Sequence, residues 1–397
     1  MTDFAKTRSL FHIPEGVIYL DGNSLGPLPL AAPERIARTL RQEWGEQLIR
    51  AWNQSDWMGL PTTLGDRLGR LIGAAPGTVV LGDTLSVKVF QALATALPFA
   101  PGRKVILSDT GNFPSDLYMA QGLIGMLGER YQLRLVEPEE VEAAITDEIA
   151  VLMLTQVDYR TGRVHDMAAL TARAHEVGAV TLWDLAHSAG ALQVDLTGCR
   201  ADFAVGCTYK FLNAGPGAPA FIYVAPHLIR DARPVLAGWL GHSAPFEFVP
   251  SYEPAPGIER MRAGTPPVIA LACLEAALDV WDQVDLNDVR RASLDLADLL
   301  IAGVEARCPE LRMVGPRERM QRGSQVSFAH PHGYAVMQAL IERGVIGDFR
   351  APDLIRFGIT PLYIGEAEIW GAILILAEIL EKRTWDQPRF HQKARVT

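Results

Sequence analysis

The sequence has a small supply of positive charge. Lysine and arginine together number 37 against 46 aspartates and glutamates, and the net charge at pH 7 is −9. Proteins that bind nucleic acid without sequence preference neutralise phosphates with lysine and arginine. The charge balance therefore excludes a non-specific nucleic-acid partner, although clustered arginines can still form a local anion site.

Cysteine is scarce, and its spacing excludes the common metal sites. The chain has four cysteines, which are Cys199, Cys207, Cys273 and Cys308. They form no CxxC pair and show no other spacing typical of metal ligands. The sequence predicts reduced, mostly buried thiols and no metal centre.

Long apolar runs are missing as well. The longest run near the end, residues 369–377, lies between two glutamates and is too short to span a bilayer. The first ten residues lack the apolar core of a signal peptide. We therefore expect a cytoplasmic protein with no membrane partner.

The chain does contain a regular alternation of strand-like and helical patterns. Apolar runs typical of strands occur at residues 78–81, 104–107, 133–136, 150–155, 179–183, 203–207 and 220–224. Helical periodicity separates several of them, as at 167–175, where Gly178 follows the predicted helix. This rhythm predicts an α/β fold with a mostly parallel sheet flanked by helices.

Both ends of the chain depart from this rhythm, which indicates more than one domain. Helices are predicted at 31–47, 268–284, 293–306 and 366–382, short strands at 325–329 and 355–357, and an irregular segment rich in Pro and Gly at 239–267. We expect an N-terminal segment (1–45) that packs with the small domain, a large domain (46–272) and a small C-terminal α+β domain (273–397).

An aspartate and a lysine stand just past two of the predicted strands. Asp184 follows the run at 179–183, and Lys210 follows the run at 203–207. Residues past the carboxyl ends of parallel strands converge on one crevice. A pyridoxal phosphate (PLP) enzyme needs this pair, because the lysine holds the aldehyde as a Schiff base and the aspartate pairs with the pyridinium nitrogen. Asp184 can instead cap a helix, which is the commoner fate of such an aspartate.

The scarcity of lysine makes the assignment of Lys210 selective. Of the six lysines, three lie near the termini, at positions 6, 382 and 393. Lys104 opens a predicted strand at a typical solvated position, and Lys88 falls inside a predicted helix. Only Lys210 lies between a strand end and a Gly-rich turn, so it is the Schiff-base residue if the chain binds PLP. The alternative for a lone loop lysine is a surface charge.

Other residues can contribute to the same site, each with a structural alternative. Residues 82–86 lead from a strand into a helix, whose free N–H groups bind phosphate, and Ser86 adds a hydroxyl; many strand-to-helix turns look similar. Phe113 can stack on a ring or pack in the core, and His187 can contact the cofactor or be a packed structural histidine. Arg356 lies in an apolar stretch and needs an anionic partner, either a substrate carboxylate or a structural salt bridge.

Taken together, the motifs resemble the kynureninase family, which are PLP enzymes of fold type I in the class V aminotransferase superfamily. The most specific pieces are DLAH at 184–187 and YKFLNAG at 209–215. The others are LDGNSLGP at 20–27, FPSD at 113–116, GWLGH at 238–242, GTPP at 264–267 and RFGITPLY at 356–363. The resemblance covers most of the chain. It implies hydrolysis of L-kynurenine to anthranilate and L-alanine by Cβ–Cγ cleavage, a reaction of tryptophan degradation.

The resemblance also implies a role for each matching residue. The expected catalytic residues are Lys210, Asp184 and Tyr209. The resemblance implies that Tyr209 lies at the cofactor phosphate, and we add the hypothesis that it also takes part in proton transfer. The implied cofactor contacts are Leu85, Ser86, Phe113, Asp116, Thr155, Asp184, His187, Tyr209 and Lys210 and, across the interface of a homodimer, Trp239 and Thr265. Arg356 is implied to hold the α-carboxylate of the substrate.

One departure from the family bears on specificity. Some members, mainly animal enzymes, have an asparagine in place of Thr265 and a histidine near the segment at 52–57. These differences lie around the aromatic ring of the substrate. We therefore expect L-kynurenine to be preferred and 3-hydroxykynurenine to be the weaker substrate.

Two other functional classes stay open at this stage. A cysteine desulfurase or a class V aminotransferase would share the fold, but a desulfurase needs a reactive cysteine on a mobile loop. Cys207 lies in a predicted strand and Cys308 at a helix end, so both are poor candidates. A non-catalytic protein that keeps the fold for binding is the other class, and the complete set of Asp184, Lys210 and Arg356 speaks against it.

Overall fold

The computed structural model describes residues 1–394 and contains two main sheets. The strands are β1 Phe11–His12, β2 Ile18–Tyr19, β3 Leu28–Pro29, β4 Val79–Leu81, β5 Val105–Asp109, β6 Gln132–Val136, β7 Ile149–Thr155, β8 Val180–Asp184, β9 Phe203–Gly206, β10 Phe221–Val224, β11 Arg312–Val314, β12 Gln325–Ala329, β13 Val345–Ile346, β14 Asp348–Arg350 and β15 Leu354–Gly358. The α-helices are α1 Phe4–Arg8, α2 Ala32–Arg38, α3 Ala51–Gln54, α4 Leu60–Gly69, α5 Leu85–Ala96, α6 Pro114–Leu127, α7 Val141–Ala144, α8 Met167–Glu176, α9 Pro226–Ile229, α10 Val268–Trp281, α11 Leu286–Arg307, α12 Gly333–Glu342 and α13 Glu366–Glu381.

The larger sheet has seven strands in the order β4-β10-β9-β8-β7-β5-β6. Strands β6, β5, β7, β8 and β9 pair in parallel, whereas β10 is antiparallel to both β9 and β4. All seven predicted strands of the sequence are found here, within one or two residues at each end. The predicted α/β fold with a mostly parallel sheet is confirmed.

Both faces of this sheet are buried, which explains the continuous apolar strands. Every residue of β7 and β8 is buried. Successive side chains of a strand point to opposite faces, and Ile106 of β5 accordingly packs in one core with α5 and α6, while Val105 and Leu107 pack in another with α4, α8 and α10. Parallel sheets of this kind are covered by helices on both sides.

The smaller sheet is antiparallel, with the order β11-β12-β15-β14. Helices α11 and α12 pack with it, and α13 packs on these two helices. The N-terminal segment joins this region, because β2 pairs in parallel with β13 through Ile18 with Val345 and Tyr19 with Ile346. The domain bounds expected from the sequence stay a prediction.

Two helices differ from the sequence-based expectation. Helix α11 begins at Leu286 and not at Ser293, because Asp285 caps it by accepting a hydrogen bond from the Asn287 N–H at 2.8 Å. The helix expected at 31–47 is α-helical only to Arg38 and then continues as a π-helix over Thr39–Glu46. Within residues 1–394, no helix combines the length and apolarity needed to cross a membrane.

Candidate active site

The predicted site residues gather at the carboxyl edge of the larger sheet. Asp184 is the last residue of β8 and Thr155 the last residue of its neighbour β7. Phe113 lies four residues after the end of β5, and Lys210 lies four residues after the end of β9. Because these four strands are parallel, their ends open into the same crevice, as the sequence predicts.

Lys210 is half-buried between two aromatic rings. Its Nζ lies 5.9 Å from the ring centre of Phe113 and 5.8 Å from that of Tyr209. The loop that carries it turns sharply at Asn213, where φ is +60°. The N-terminal segment closes over this loop at Gly26, where an added Cβ would lie only 2.5 Å from the carbonyl oxygen of Lys210. The close approach explains why glycine is needed at position 26.

Asp184 and Asp116 form a buried carboxyl pair beside Lys210. Burial raises the pKa of Asp184 to about 6, although Lys210, the Ala186 N–H and Asp116 favour its charged form. Burial and the charge of Asp184 raise the pKa of Asp116 well above its usual value. Two carboxylates in contact cannot both ionise. Asp116 therefore stays protonated and donates a hydrogen bond to Asp184. Asp184 also accepts a hydrogen bond from the Ala186 N–H at 2.8 Å.

His187 is buried beside the same pair and is held in the neutral form. Burial lowers the pKa of its imidazole well below the usual value, and the charges of Lys210 and Arg356 lower it further. Its Nδ1 lies 3.0 Å from Oε1 of Gln325, whose Nε2 donates to the carbonyl of Tyr159 at 2.9 Å. We call Asp116, Asp184, His187 and Lys210 the lysine pocket. Gln325 is a contact that the sequence analysis missed.

The start of helix α5 offers donors for an anion. Leu85 and Ser86 are its first two residues, and its N-cap, Thr84, makes no side-chain hydrogen bond. The first N–H groups of a helix lack intrahelical partners and attract phosphate. The Ser86 Oγ lies 2.8 Å from the Ser115 Oγ of the neighbouring helix α6. Ser115 lies in the FPSD motif but was not singled out from the sequence.

Lys88 supports this turn from inside the core. The turn is tight, with φ of +56° at Asp83. Lys88 is only 1% exposed, and its Nζ lies 2.9 Å from the Asp83 carboxylate and 3.0 Å from both Gln91 Oε1 and the Met261 carbonyl. In the sequence, Lys88 is predicted only to lie within a helix. Its position between Val87 and Val89 in a mostly apolar helix was the available signal.

Arg356 lies at the centre of a second charged group. It is 1% exposed, and its Nε donates to Asp348 Oδ1 at 2.7 Å, while Nη2 donates to Asp348 Oδ2. Asp348 faces it directly across β14 and β15 and also accepts from Arg350 Nη2 at 2.8 Å and from the Ser24 hydroxyl. We call Asp21, Ser24, Asp348, Arg350 and Arg356 the arginine cluster. A salt bridge with Asp348 therefore exists in this structure, which leaves a substrate role for Arg356 as a prediction.

The remaining predicted site residues occupy different surroundings. Thr155 is buried, and its hydroxyl donates to the Val157 carbonyl at 3.2 Å. Burial raises the pKa of Tyr209, so its phenol keeps its proton at neutral pH. Trp239 is 42% exposed and stacks on Phe248 at a ring distance of 6.5 Å. Thr265 is exposed on a loop whose residues line a small cavity together with Asp83 and Lys88.

The residues present fit PLP. Asp184 is a buried carboxylate with a raised pKa, and a positively charged ring nitrogen would offset the cost of burying its charge. The start of α5 offers unpaired N–H groups and the Ser86 hydroxyl for a phosphate, and Lys210 offers a primary amine. Across the described part of the chain, no group of three or more His, Cys, Asp or Glu side chains is arranged to hold a metal ion.

Comparisons with known proteins identify the family. The family model described as the kynureninase C-terminal domain matches residues 289–376. The chain is similar to a kynureninase of Pseudomonas fluorescens, with 53% identity over 99% of this chain and 96% of that protein. A kynureninase of Burkholderia pseudomallei (strain 1106a) is 52% identical over the same shares.

The chain belongs to the kynureninase family. Solved structures outside that family share its fold. A cysteine desulfurase from Thermococcus onnurineus superposes with a TM-score of 0.81 at 20% identity over 95% of this chain and 98% of that one. A mutant of the lyase C-DES with glycine covalently linked to its PLP cofactor gives 0.81 at 21% identity over 95% and 100%. These similarities confirm the fold type I architecture expected for a kynureninase.

The cysteines distinguish this kynureninase family member from the desulfurases that share its fold. Burial raises the pKa of all four thiols, and that of Cys308 reaches about 11. Cys207 and Cys308 are also buried. A nucleophilic cysteine needs an accessible thiolate of lowered pKa. The surroundings of the four thiols therefore do not favour the reactive thiolate form.

Proposed function

We propose that the chain hydrolyses L-kynurenine to anthranilate and L-alanine with pyridoxal 5′-phosphate as its cofactor. Identity of 53% to a kynureninase over nearly the whole chain supports the activity. The observation that carries the proposal is the lysine pocket, in which one amine faces a buried carboxyl pair at the carboxyl edge of a parallel sheet. PLP bound there supplies an electron sink that stabilises negative charge next to the amino group of the substrate.

The carboxyl pair fixes the charge at one end of the lysine pocket. Asp184 holds the negative charge that a protonated ring nitrogen requires, and the protonated Asp116 donates a hydrogen bond to it. His187 stays neutral, because burial lowers the pKa of its imidazole and the charges of Lys210 and Arg356 lower it further. We propose Phe113 as the side chain that covers the ring face. Leu85, Ser86 and Tyr209 are the proposed contacts of the phosphate, and Thr155 is a further cofactor contact. These positions match the family motifs.

Lys210 and Tyr209 are the proposed carriers of protons. The Lys210 amine is a base once it is free, and its position between the rings of Phe113 and Tyr209 keeps it at the centre of the pocket. Tyr209 retains its phenolic proton, because burial raises its pKa. A phenol of this kind is an acid that can stabilise an oxyanion.

Arg356 is the proposed binding group for the α-carboxylate of the substrate. A guanidinium offers two parallel N–H donors that match a carboxylate. The β14–β15 pairing and Asp348 hold Arg356 rigidly in place. The substrate range that we propose is L-kynurenine first and 3-hydroxykynurenine second, on the basis of Thr265 and the segment at 52–57.

We also propose a cytoplasmic homodimer. The exposed positions of Trp239 and Thr265 suit residues that complete the cofactor site of a second copy, and four free cysteines suit a reducing compartment. The proposed domain bounds stay as expected from the sequence, with an N-terminal segment to 45 and a large domain to 272. A nucleic-acid or membrane partner has no part in the proposal.

The direct test is product analysis. PLP-saturated protein is mixed with L-kynurenine, and anthranilate fluorescence is followed together with alanine. We expect the two products in equal amounts. A yellow protein that forms neither product, or that forms a keto acid and leaves the cofactor as its amine, would contradict the proposal in favour of an aminotransferase.

A further inference from the structure

Strand pairing places Asp21 next to Asp348. The parallel pair β2–β13 sets Tyr19 opposite Ile346, and each aspartate lies two residues further along its own segment. The Leu20 N–H donates to the Ile346 carbonyl at 2.7 Å, which extends the pairing beyond the strand. Residues two apart keep the same face of a sheet, so the register brings two carboxyl groups together.

The hydroxyl of Ser24 lies between these carboxyl groups and can donate a hydrogen bond to only one of them. Ser24 has a single hydroxyl proton, which it donates to Asp348 Oδ2. Its oxygen meets Nη2 of Arg350 and Nη2 of Arg356, each at 3.3 Å. Within residues 1–394, the Oδ1 atom of Asp21 is buried and has no hydrogen-bond partner. A buried carboxylate oxygen without a partner is costly, which favours the neutral form of Asp21.

The charged groups around Asp21 set a simple balance. Burial and the charge of Asp348 raise the pKa of Asp21 to about 7, against the opposing charges of Arg356 and Arg350. Asp348 stays ionised, because Arg356 and Arg350 hold its pKa below the usual value despite burial.

Further titratable side chains lie near the cluster. Tyr159 and Tyr209 face Arg350, and burial raises the pKa of the Tyr209 phenol. Burial raises the pKa of both Tyr19 and Tyr363, the two phenols that face Asp21. Burial also lowers the pKa of His187, which faces the two arginines. Two guanidinium groups and one carboxylate therefore leave one net positive charge while Asp21 is protonated, and none once it is ionised.

We infer that Asp21 is a positioning residue that tunes the affinity of the arginine cluster for the substrate carboxylate through the presence or absence of its own proton. The inference rests on the proposed role of Arg356. It goes beyond that role, because it assigns a function to a residue outside the proposed set of cofactor and substrate contacts.

The sign of the effect follows from the charge balance. At a pH near 6 Asp21 is neutral, and the positive cluster binds a carboxylate well. As the pH rises through 7, Asp21 gains a negative charge that repels the ligand. A charge a few ångströms away in a partly solvated protein site changes affinity by about tenfold. Only ligands that carry a carboxylate are affected.

The experiment compares two amines that differ in the carboxylate. The PLP-saturated protein is titrated with L-alanine and with ethylamine between about pH 6 and pH 8.5, and binding is read from the absorption spectrum of the cofactor. Any protonation of the protein, the cofactor or the amine that affects both dissociation constants alike cancels in the ratio of the two constants. For the wild type we expect this ratio, alanine over ethylamine, to rise about tenfold across the range.

Two variants sharpen the result. Asp21→Asn cannot ionise and is expected to give a ratio that is constant with pH and equal to the low-pH wild-type value. Tyr19→Phe alters the same segment without changing a charge and is expected to follow the wild type. Far-ultraviolet circular dichroism checks that both variants fold.

Two outcomes overturn the inference separately from the proposed function. A wild-type ratio that does not change with pH overturns the inference alone, whatever the variants do, and so does an Asp21→Asn variant with the full wild-type pH dependence. Absence of any spectral change with either amine would overturn both the inference and the proposed PLP site.

Discussion

The lysine pocket and the arginine cluster are built in opposite ways. In the lysine pocket, Asp116, Asp184 and Lys210 all lie on segments that leave the carboxyl edge of one parallel sheet. The arginine cluster joins an N-terminal loop to β14 and β15 of the smaller sheet. The first site takes its geometry from one rigid element, whereas the second depends on three segments meeting.

The difference extends to how charge is balanced. In the lysine pocket Asp116 and Asp184 share one proton, so one negative charge remains to balance the cation of Lys210. In the arginine cluster the balance depends on a second carboxyl group beside Asp348, that of Asp21, whose pKa is raised to about 7. We therefore expect substitutions in the lysine pocket to affect the chemical step, and those in the arginine cluster to affect binding of the substrate.

Removal of the amine should have the largest effect. Lys210→Ala is expected to lower kcat by about 10³-fold or more, because both the cofactor attachment and a proton carrier are lost. Steady-state anthranilate release measures it. The exposed Lys104→Ala is the matched control and should keep wild-type turnover. A Lys210→Ala enzyme within tenfold of wild type would remove Lys210 from the chemistry.

Asp184→Asn should separate activity from stability. We expect kcat to fall by about 10²-fold, because the charge facing the ring is lost. The raised pKa of Asp184, about 6 against an ordinary 3.8, means that the folded state binds more protons than the unfolded state between those values. Stability of the cofactor-free protein therefore falls as the pH rises through this window, by about 3 kcal/mol.

Asparagine cannot ionise, so the cofactor-free Asp184→Asn protein should be the more stable form at pH 8 by about the same 3 kcal/mol. The difference in stability should vanish near pH 4, where the folded wild type and the folded variant are both uncharged at position 184. Urea unfolding at the two pH values measures the difference. Lower stability of the variant at pH 8 would contradict the assigned cost of burying Asp184.

Arg356→Lys tests the second site. A lysine keeps the charge but loses the paired N–H donors, so KM for L-kynurenine should rise by about 10²-fold with little change in kcat. Arg312→Lys, at an exposed position of β11, is the control. If kcat falls and KM does not move, Arg356 acts on structure or chemistry rather than on the carboxylate.

The smallest expected effect lies at the phosphate turn. Lys88→Met removes the buried cation that pairs with Asp83, which loosens the turn before α5. We expect affinity for PLP to fall by about tenfold, while the affinity for pyridoxal, which lacks the phosphate, stays the same. Fluorescence titration of the cofactor-free protein measures both. An equal loss for the two ligands would show that Lys88 supports the fold and not the phosphate site.

The parts predictable from sequence were those with local signals. The strands of the larger sheet were predictable because they are continuous apolar runs. The convergence of Asp184 and Lys210 on one crevice followed from their positions at the ends of parallel strands. The start of α11 was missed because Asp285 stands before a polar first turn, where apolar periodicity gives no signal. Its capping side chain was the clue available.

The arginine cluster was only half predictable. Arg356 was visible as a charge in an apolar stretch, but its partner Asp348 depends on a cross-strand register, and Asp21 depends on a pairing between residues more than 300 positions apart. Neither register is encoded in local patterns. Lys88 was overlooked for a related reason, since helical periodicity does not show which face of a helix meets a turn.

The most direct test of the lysine pocket is the chemical mapping of the cofactor. Borohydride reduction of the PLP-loaded protein fixes the cofactor to the lysine that holds it, and mass spectrometry of the peptides locates it. We expect the pyridoxyl group on Lys210 alone. Its recovery on Lys88 or on a surface lysine, with Lys210 unmodified, would contradict the assignment of the site.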